Sequence, residues 1–334
     1  MSLCNLAKIR SVAVRAVEKA CTACLEIQKQ LISEDTINKK DQSPVTVGDY
    51  TVQALVINEL IKGLDEEYPI IAEEDSKTLS SQKDVESKVL SFFNQYSNEN
   101  FVESQLSALL DKGNKKKDLN SSNRWWTLDP IDGTLGFLRK DQYAVALALM
   151  EDNKPILGIL GCPNLPVSKG STEKGCIFVG LKDKGSFMIK LSNMNQEEPI
   201  SVSKQSDPTK AIFTESFVSR GFGHELNQKI SNSMGVTAEP LKIDSQCKYA
   251  MVARGDSDCY LRLTQLDYKE CIWDHAAGHI IVEEAGGVVT DFKQQQLDYS
   301  KGFKLENNVG IVCSNKLLND SLFNSIKKSI QFDQ

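Results

Sequence analysis

The sequence predicts an α+β portion followed by an α/β portion, and three patterns carry that prediction. Residues 5–31 set Leu6, Ile9, Ala13, Ala16, Val17, Ala20, Cys24, Ile27 and Leu31 at helical spacing. From Arg124 the chain turns to short apolar runs: WWTLD, AVALALM, PILGILGC, GCIFVG and GSFMIK. Turn residues such as Asp152-Asn153 and Lys184-Gly185 separate several of them, which reads as a mostly antiparallel sheet. Beyond about residue 200 strands and helices alternate, the pattern of an α/β layer. A chain of 334 residues exceeds one typical core, so two domains are expected, 1–199 and 200–334.

Between these markers the elements follow in order. A helix is expected from about Asp49 to Lys62, ended by Gly63. Pro69 to Ala72 reads as a short strand that ends in carboxylates, Glu73, Glu74 and Asp75. Residues 76–123 are rich in Ser, Lys, Asn and Gln and read as an insertion over the surface. Within it Val85–Tyr96 and Phe101–Leu110 have amphipathic helical spacing, and Lys115–Lys117 reads as a solvated loop. In the second portion AIFTES, EPLKI, DCYLRL, GGVVTD and NVGIVC read as strands. GHELNQKISNSM, DSQCKYAMVA, WDHAAGHIIVEEA and NKLLNDSLFNSIKKSI read as helices. No internal repeat is evident.

Composition narrows the function. The net charge of −6 supplies no general basic surface for a nucleic-acid polymer. No apolar run approaches the ~20 residues of a membrane span, and the N-terminus lacks a secretory apolar region. A cytoplasmic protein is expected. Cys21 and Cys24 form a C-x-x-C inside the first helix. No second pair at zinc-finger spacing follows and the chain has only three histidines, so the nine cysteines read as reduced, mostly buried thiols.

The chemistry concentrates in WTLDPIDGTLGFLR. Asp129 closes a strand, Pro130 fixes φ, Asp132 lies just past the turn, and Gly133-Thr134 opens a helix. Such a helix start offers backbone N–H groups to a phosphate. Two carboxylates beside an anion would repel it unless hard divalent cations lie between them. A structural Asp-Pro turn satisfies this stretch equally well. Asp49, Glu73 and Asp274 also sit at element ends, where sites are built, although each taken alone reads as an N-cap or a solvated acid.

WTLDPIDGTLGF, IIAEED and WDHAAGHIIVEEAGG together resemble the three signature segments of the lithium-sensitive, magnesium-dependent phosphatases, in matching order and over nearly the whole chain. That superfamily includes inositol monophosphatases, inositol polyphosphate 1-phosphatases, fructose bisphosphatases and bisphosphate nucleotidases. Gly133-Thr134-Leu135-Gly136-Phe137-Leu138-Arg139 departs from the G-T-x-N-F-x-H of inositol monophosphatases. With DSQCKYAMVARGDSDCYLRL, it resembles more closely the 3′(2′),5′-bisphosphate nucleotidases.

The resemblance implies a layered αβαβα sandwich and two or three magnesium ions. Their ligands would be Glu73, Asp129, Asp132, Asp274 and the carbonyl of Ile131. It implies that Asp49 and Thr134 orient and deprotonate the attacking water, that the N–H groups of Gly133 and Thr134 hold the phosphate, and that lithium inhibits. Glu74 and His275 would support the ligands from behind. The implied substrate is adenosine 3′,5′-bisphosphate or its sulfated analogue, with a place in sulfur metabolism. Asp244, Ser245, Lys248 and Arg262 would hold the nucleotide, with His224 near the base. Ser245 and Lys248 are expected one helical turn apart on one face; without the resemblance they read equally as surface residues of an amphipathic helix. Trp125 and Trp126 are expected in the core. The alternatives are an inositol phosphatase and a non-catalytic nucleotide sensor. Neither residues nor resemblance specify an oligomeric state.

Overall fold

The computed structural model describes residues 3–30, 36–38, 44–113, 123–219 and 221–330. Helix α1 (Leu3–Gln30) leads to a two-stranded ribbon of β1 (Thr36–Asn38) and β2 (Pro44–Thr46) and then to α2 (Val47–Gly63). Strand β3 (Ile70–Ala72) is followed by α3 (Ser76–Ser80), α4 (Lys83–Ser97) and α5 (Glu103–Leu110). A seven-stranded sheet continues through β4 (Arg124–Asp132), β5 (Ala144–Glu151), β6 (Lys154–Pro166), β7 (Lys174–Leu181), β8 (Gly185–Lys190) and β9 (Asn193–Ile200). The short helix α6 (Thr134–Leu138) interrupts it after β4. The strands lie in sequence order, antiparallel except for the parallel pair β3–β4. The edge strand β9 carries Pro199 and mostly exposed side chains, so its pattern lacked the apolar alternation that marks a strand.

The second sheet has the order β11 (Leu241–Lys242), β10 (Phe213–Glu215), β12 (Cys259–Arg262), β14 (Ile311–Asn315), β13 (Gly287–Thr290). Its helices are α7 (Gly223–Ser233), α8 (Cys247–Ala253), α9 (Ala276–Glu284) and α10 (Asn319–Ser329). β10 pairs in parallel with β11 and β12, whereas β12–β14 and β13–β14 are antiparallel. The sheet is therefore mixed: no helix lies between β13 and β14, so that connection returns antiparallel.

Three cores hold five layers together, the middle one filling both sides of the central helix layer. The first packs α1, α2, α4 and α5 against one face of the large sheet. The second lies around α8 and α9, between the two sheets. The third packs α7 and α10 on the outer face of the small sheet. This is the expected αβαβα sandwich. The alternation in β5 shows why both faces are buried: Val145, Leu147 and Leu149 enter the first core, and Ala144, Ala146 and Ala148 enter the second. The small residues let α9 approach, and Gly180 in β7 would place a Cβ 2.6 Å from the Ile281 backbone.

Trp125 and Trp126 are buried on opposite faces of β4, as expected. Cys21 and Cys24 are buried free thiols, and burial pushes both upward in pKa. In the segment 76–123, Val85, Val89 and Phe93 of α4 and Leu106, Leu109 and Leu110 of α5 join the first core. Lys115–Lys117 fall outside the described residues. No described helix is long and apolar enough to cross a membrane.

Candidate active site

Asp129 and Asp132 are three residues apart, so in a regular strand they would point to opposite faces. The pairing register resolves this. Asp129 opposes Ala146 and Asp132 opposes Ala144, with a bulge between them. Three steps on β4 thus match two on β5, and both carboxylates reach one face. The strand was expected to close at Asp129; instead it runs through the Pro130-Ile131 bulge to Asp132. Proline is tolerated there because the bulge already breaks the ladder.

The parallel pairing of β3 with β4 brings in the next acid. Ala72 opposes Leu128, and Glu73 N–H donates to the Leu128 carbonyl at 3.2 Å, so Glu73 stands beside Asp129. Gln53, buried in α2, fixes this end: its amide donates to the Glu74 carbonyl (2.6 Å) and accepts from Glu74 N–H (3.0 Å). Asp75 accepts from Thr78 N–H at 3.0 Å and caps α3. Asp274 arrives from the other half, at the end of a tight turn, Ile272–Asp274, just before α9.

These groups open on one cleft of about 260 Å³. It is lined by Glu73, Asp129, Ile131, Asp132, Gly133, Thr134, Asp274 and all five expected nucleotide contacts, Asp244, Ser245, Lys248, Arg262 and His224. Gly133 has φ 87°, and a Cβ there would lie 2.9 Å from Ser245 Cβ, so glycine is required on both counts. α6 has only five residues, so it offers backbone N–H groups rather than a strong dipole.

Asp49 lies at the start of α2 and is not among the residues lining the cleft. Its carboxylate accepts from Thr46 N–H and Thr46 Oγ1, both at 2.7 Å, closing a capping box at the start of α2. The Thr134 hydroxyl donates to the Ile131 carbonyl at 3.3 Å. The cap satisfies backbone donors at the helix start. One expectation changes: Ser245 is not on the helix with Lys248. It has φ 65°, and α8 starts at Cys247, whose N–H donates to Ser245 Oγ at 3.2 Å. Serine competes for backbone hydrogen bonds and delays the helix.

The electrostatics are severe. Asp129 is buried, and its Oδ1 has no hydrogen-bond partner. Burial pushes its pKa well up, and Glu73, Asp132, Asp274 and Asp49 push it further. Asp132 is raised by burial against the opposing pull of Lys248, Arg262 and the Gln246 N–H. Asp274 reaches about 7, first through burial, with Arg262 opposing and Asp132 adding. An orphaned buried carboxylate oxygen among like charges is the donor set that hard divalent cations satisfy. The residues fit magnesium.

A neighbouring group, Glu270, Asp274 and His275, also brings ligand atoms within 4.8 Å of one another. It already contains a cation. Arg262 Nε donates to Glu270 at 2.7 Å, and its guanidinium lies 3.6 Å from Asp274. Burial pushes Glu270 up, but Arg262 and His275 more than offset this and hold it at about 2. Lys248 is buried, donating to Ser216 Oγ (3.0 Å) and the Ile243 carbonyl (3.2 Å) over the Tyr260 ring. Burial lowers it to about 8. Asp244 accepts from Arg139 and from Phe217 N–H, and His224 approaches Glu215 at 3.9 Å.

Residues 5–331 match the family described as inositol monophosphatase. The chain belongs to the inositol monophosphatase family. It is 95% identical over 332 residues to a 3′(2′),5′-bisphosphate nucleotidase of Dictyostelium discoideum, covering 99% of this chain and all of that one. It is 41% identical over 337 residues to 3′(2′),5′-bisphosphate nucleotidase 1 of Arabidopsis thaliana, covering 95% of each. Among solved structures, the extragenic suppressor protein suhB of Bartonella henselae superposes with TM-score 0.67 at 20% identity, covering 96% of this chain and 98% of that one. CysQ of Bacteroides thetaiotaomicron, a bacterial family member, superposes with TM-score 0.61 at 19% identity, covering 92% and 97%. Both are alike in fold.

Sequence reasoning gave no site role to Glu270, Gln246 or Arg139, the last used only as part of the motif that carries the resemblance. Gln246 lies inside the quoted DSQCKY stretch, but an amide between two expected ligand contacts carries no charge signal.

Proposed function

We propose that this chain is a magnesium-dependent 3′(2′),5′-bisphosphate nucleotidase. It removes the 3′-phosphate of adenosine 3′,5′-bisphosphate, giving AMP and phosphate, and accepts the sulfated analogue 3′-phosphoadenylyl sulfate. The observation that carries this reading is the 95% identity over the full chain to a nucleotidase, in a chain whose acids converge on one cleft.

Glu73, Asp129, Asp132, Asp274 and the Ile131 carbonyl would hold two or three magnesium ions. Bound there, the ions neutralise the phosphate and lower the pKa of the attacking water. The chain's own groups do the rest. Gly133 and Thr134 N–H groups hold the phosphate, and the Thr134 hydroxyl on the cleft wall orients the water. Asp49 would take the water's proton with Thr134; both its Thr46 contacts fall on Oδ2, and a carboxylate has a second oxygen to act as base. Lys248 and Arg262 supply cations for the 5′-phosphate, Asp244 and Ser245 face the ribose, and His224 faces the base. The reading implies inhibition by lithium and a place in sulfur metabolism in the cytoplasm.

The test is phosphate release from adenosine 3′,5′-bisphosphate with magnesium, then with added lithium, in parallel with inositol 1,4-bisphosphate. Release from the nucleotide, suppressed by lithium, is expected. Cleavage of the inositol phosphate alone would overturn the nucleotide assignment and leave the metal ligands standing.

A further inference from the structure

Gln246 touches both halves of the acidic site. Its backbone N–H donates to Asp132 Oδ2 at 2.6 Å. Its side-chain amide donates to the Trp273 carbonyl at 2.9 Å and accepts from Gly278 N–H at 3.1 Å. Trp273 and Gly278 bracket Asp274, one in the middle of the tight turn that Asp274 ends and the other in the first turn of α9. The residue is buried, at 2% exposure, so both amide contacts are shielded from water. The left-handed backbone of Ser245 immediately before it brings the chain around at this point. Asp132 belongs to the large sheet and Asp274 to the loop before α9, and Gln246 bonds to both regions.

We infer that the Gln246 carboxamide is a positioning residue that sets Asp274 opposite Asp132 and thereby fixes the geometry in which this chain takes up magnesium. The inference rests on the proposed metal site and not on the identity of the substrate. Partners behind metal ligands typically change metal affinity or activity ~10–100-fold when removed. The backbone contact to Asp132 survives a side-chain substitution, so a variant isolates the amide's hold on the Asp274 turn.

The test is Gln246→Met, which keeps the volume and deletes the amide, studied by magnesium titration calorimetry without substrate and by kinetics at varied magnesium. The expected result is magnesium binding weaker by about tenfold or more. The magnesium concentration for half-maximal rate should rise in step, while KM for the nucleotide at saturating magnesium changes less than about twofold. A merely structural role would lower the melting temperature and leave magnesium affinity at the wild-type value; that result would overturn the inference. If Gln246→Met does not fold, Gln246→Asn is read the same way, since its shorter amide keeps the site polar but cannot span both partners. Wild-type protein that binds magnesium yet leaves adenosine 3′,5′-bisphosphate intact would overturn the proposed substrate alone. Normal magnesium binding by a folded variant would overturn the positioning role alone.

Discussion

Asp129→Asn should separate stability from function. Asp129 is buried and pushed up in pKa by burial and by Glu73, Asp132, Asp274 and Asp49. In the unfolded chain it ionises near its ordinary value of 3.8. Above that pH the metal-free native state holds more protons than the unfolded state, so its stability falls as pH rises. Proton uptake caps the cost of one such group. From 3.8 to pH 8 is roughly four units at 1.36 kcal/mol each, an upper limit of about 6 kcal/mol. Asparagine removes this term and some acceptor capacity, so a net gain of about 1–3 kcal/mol at pH 8 is expected for the metal-free protein. The gain should shrink toward pH 4. Asp274 adds a slope of the same sign that ends near its value of about 7, damped because its side chain is one-fifth exposed. The assay is urea unfolding at several pH values with chelator, repeated with saturating magnesium. Magnesium should stabilise wild type and do little for the variant, reversing their order. Turnover should fall by about 10²-fold or more. A metal-free variant no more stable than wild type at pH 8, with an unchanged magnesium response, would refute the account of the acidic cluster.

Two further predictions concern the cleft wall. Lys248→Met should raise KM for the nucleotide about 10–100-fold by removing a charge-assisted contact. Lys248 sits at about 8 in the fold against 10.5 ordinarily, so between those values the unfolded chain holds the extra proton and wild-type stability rises with pH. The variant should lack that rise, of up to about 3 kcal/mol, in unfolding measured at pH 7.5 and 10. Gly133→Ala should destabilise by about 1–2 kcal/mol through its positive φ and the crowding at Ser245, and reduce kcat more than KM. Wild-type kcat in this variant would show that the close approach of the two halves is dispensable.

Much of the architecture was legible. The helical spacing of residues 5–31 became α1, and the apolar runs after Arg124 became β4 to β8. Strand β9 was missed because an exposed edge strand has no apolar stripe, and α3 because five residues are too few for a period. The helix at DSQCKY was started too early because its first residues spend their hydrogen bonds on the turn. Asp49 was legible as an acid at a helix start, and the fold adds that one of its oxygens caps that helix through Thr46.

The sequence by itself determined the order of helices and strands, the Asp-Pro-Ile-Asp-Gly-Thr stretch and the supply of acids. These depend on chain neighbours, whose periodicity and turn chemistry are written locally. Tertiary structure alone decided that Asp129 and Asp132 share a face, through a bulge in the β4–β5 register. It also set Glu73 beside Asp129, through the parallel pairing of β3 with β4, and joined the Asp274 turn to Asp132 through Gln246. Those are matters of register and packing between segments far apart in the chain, and no local pattern encodes a distance between them.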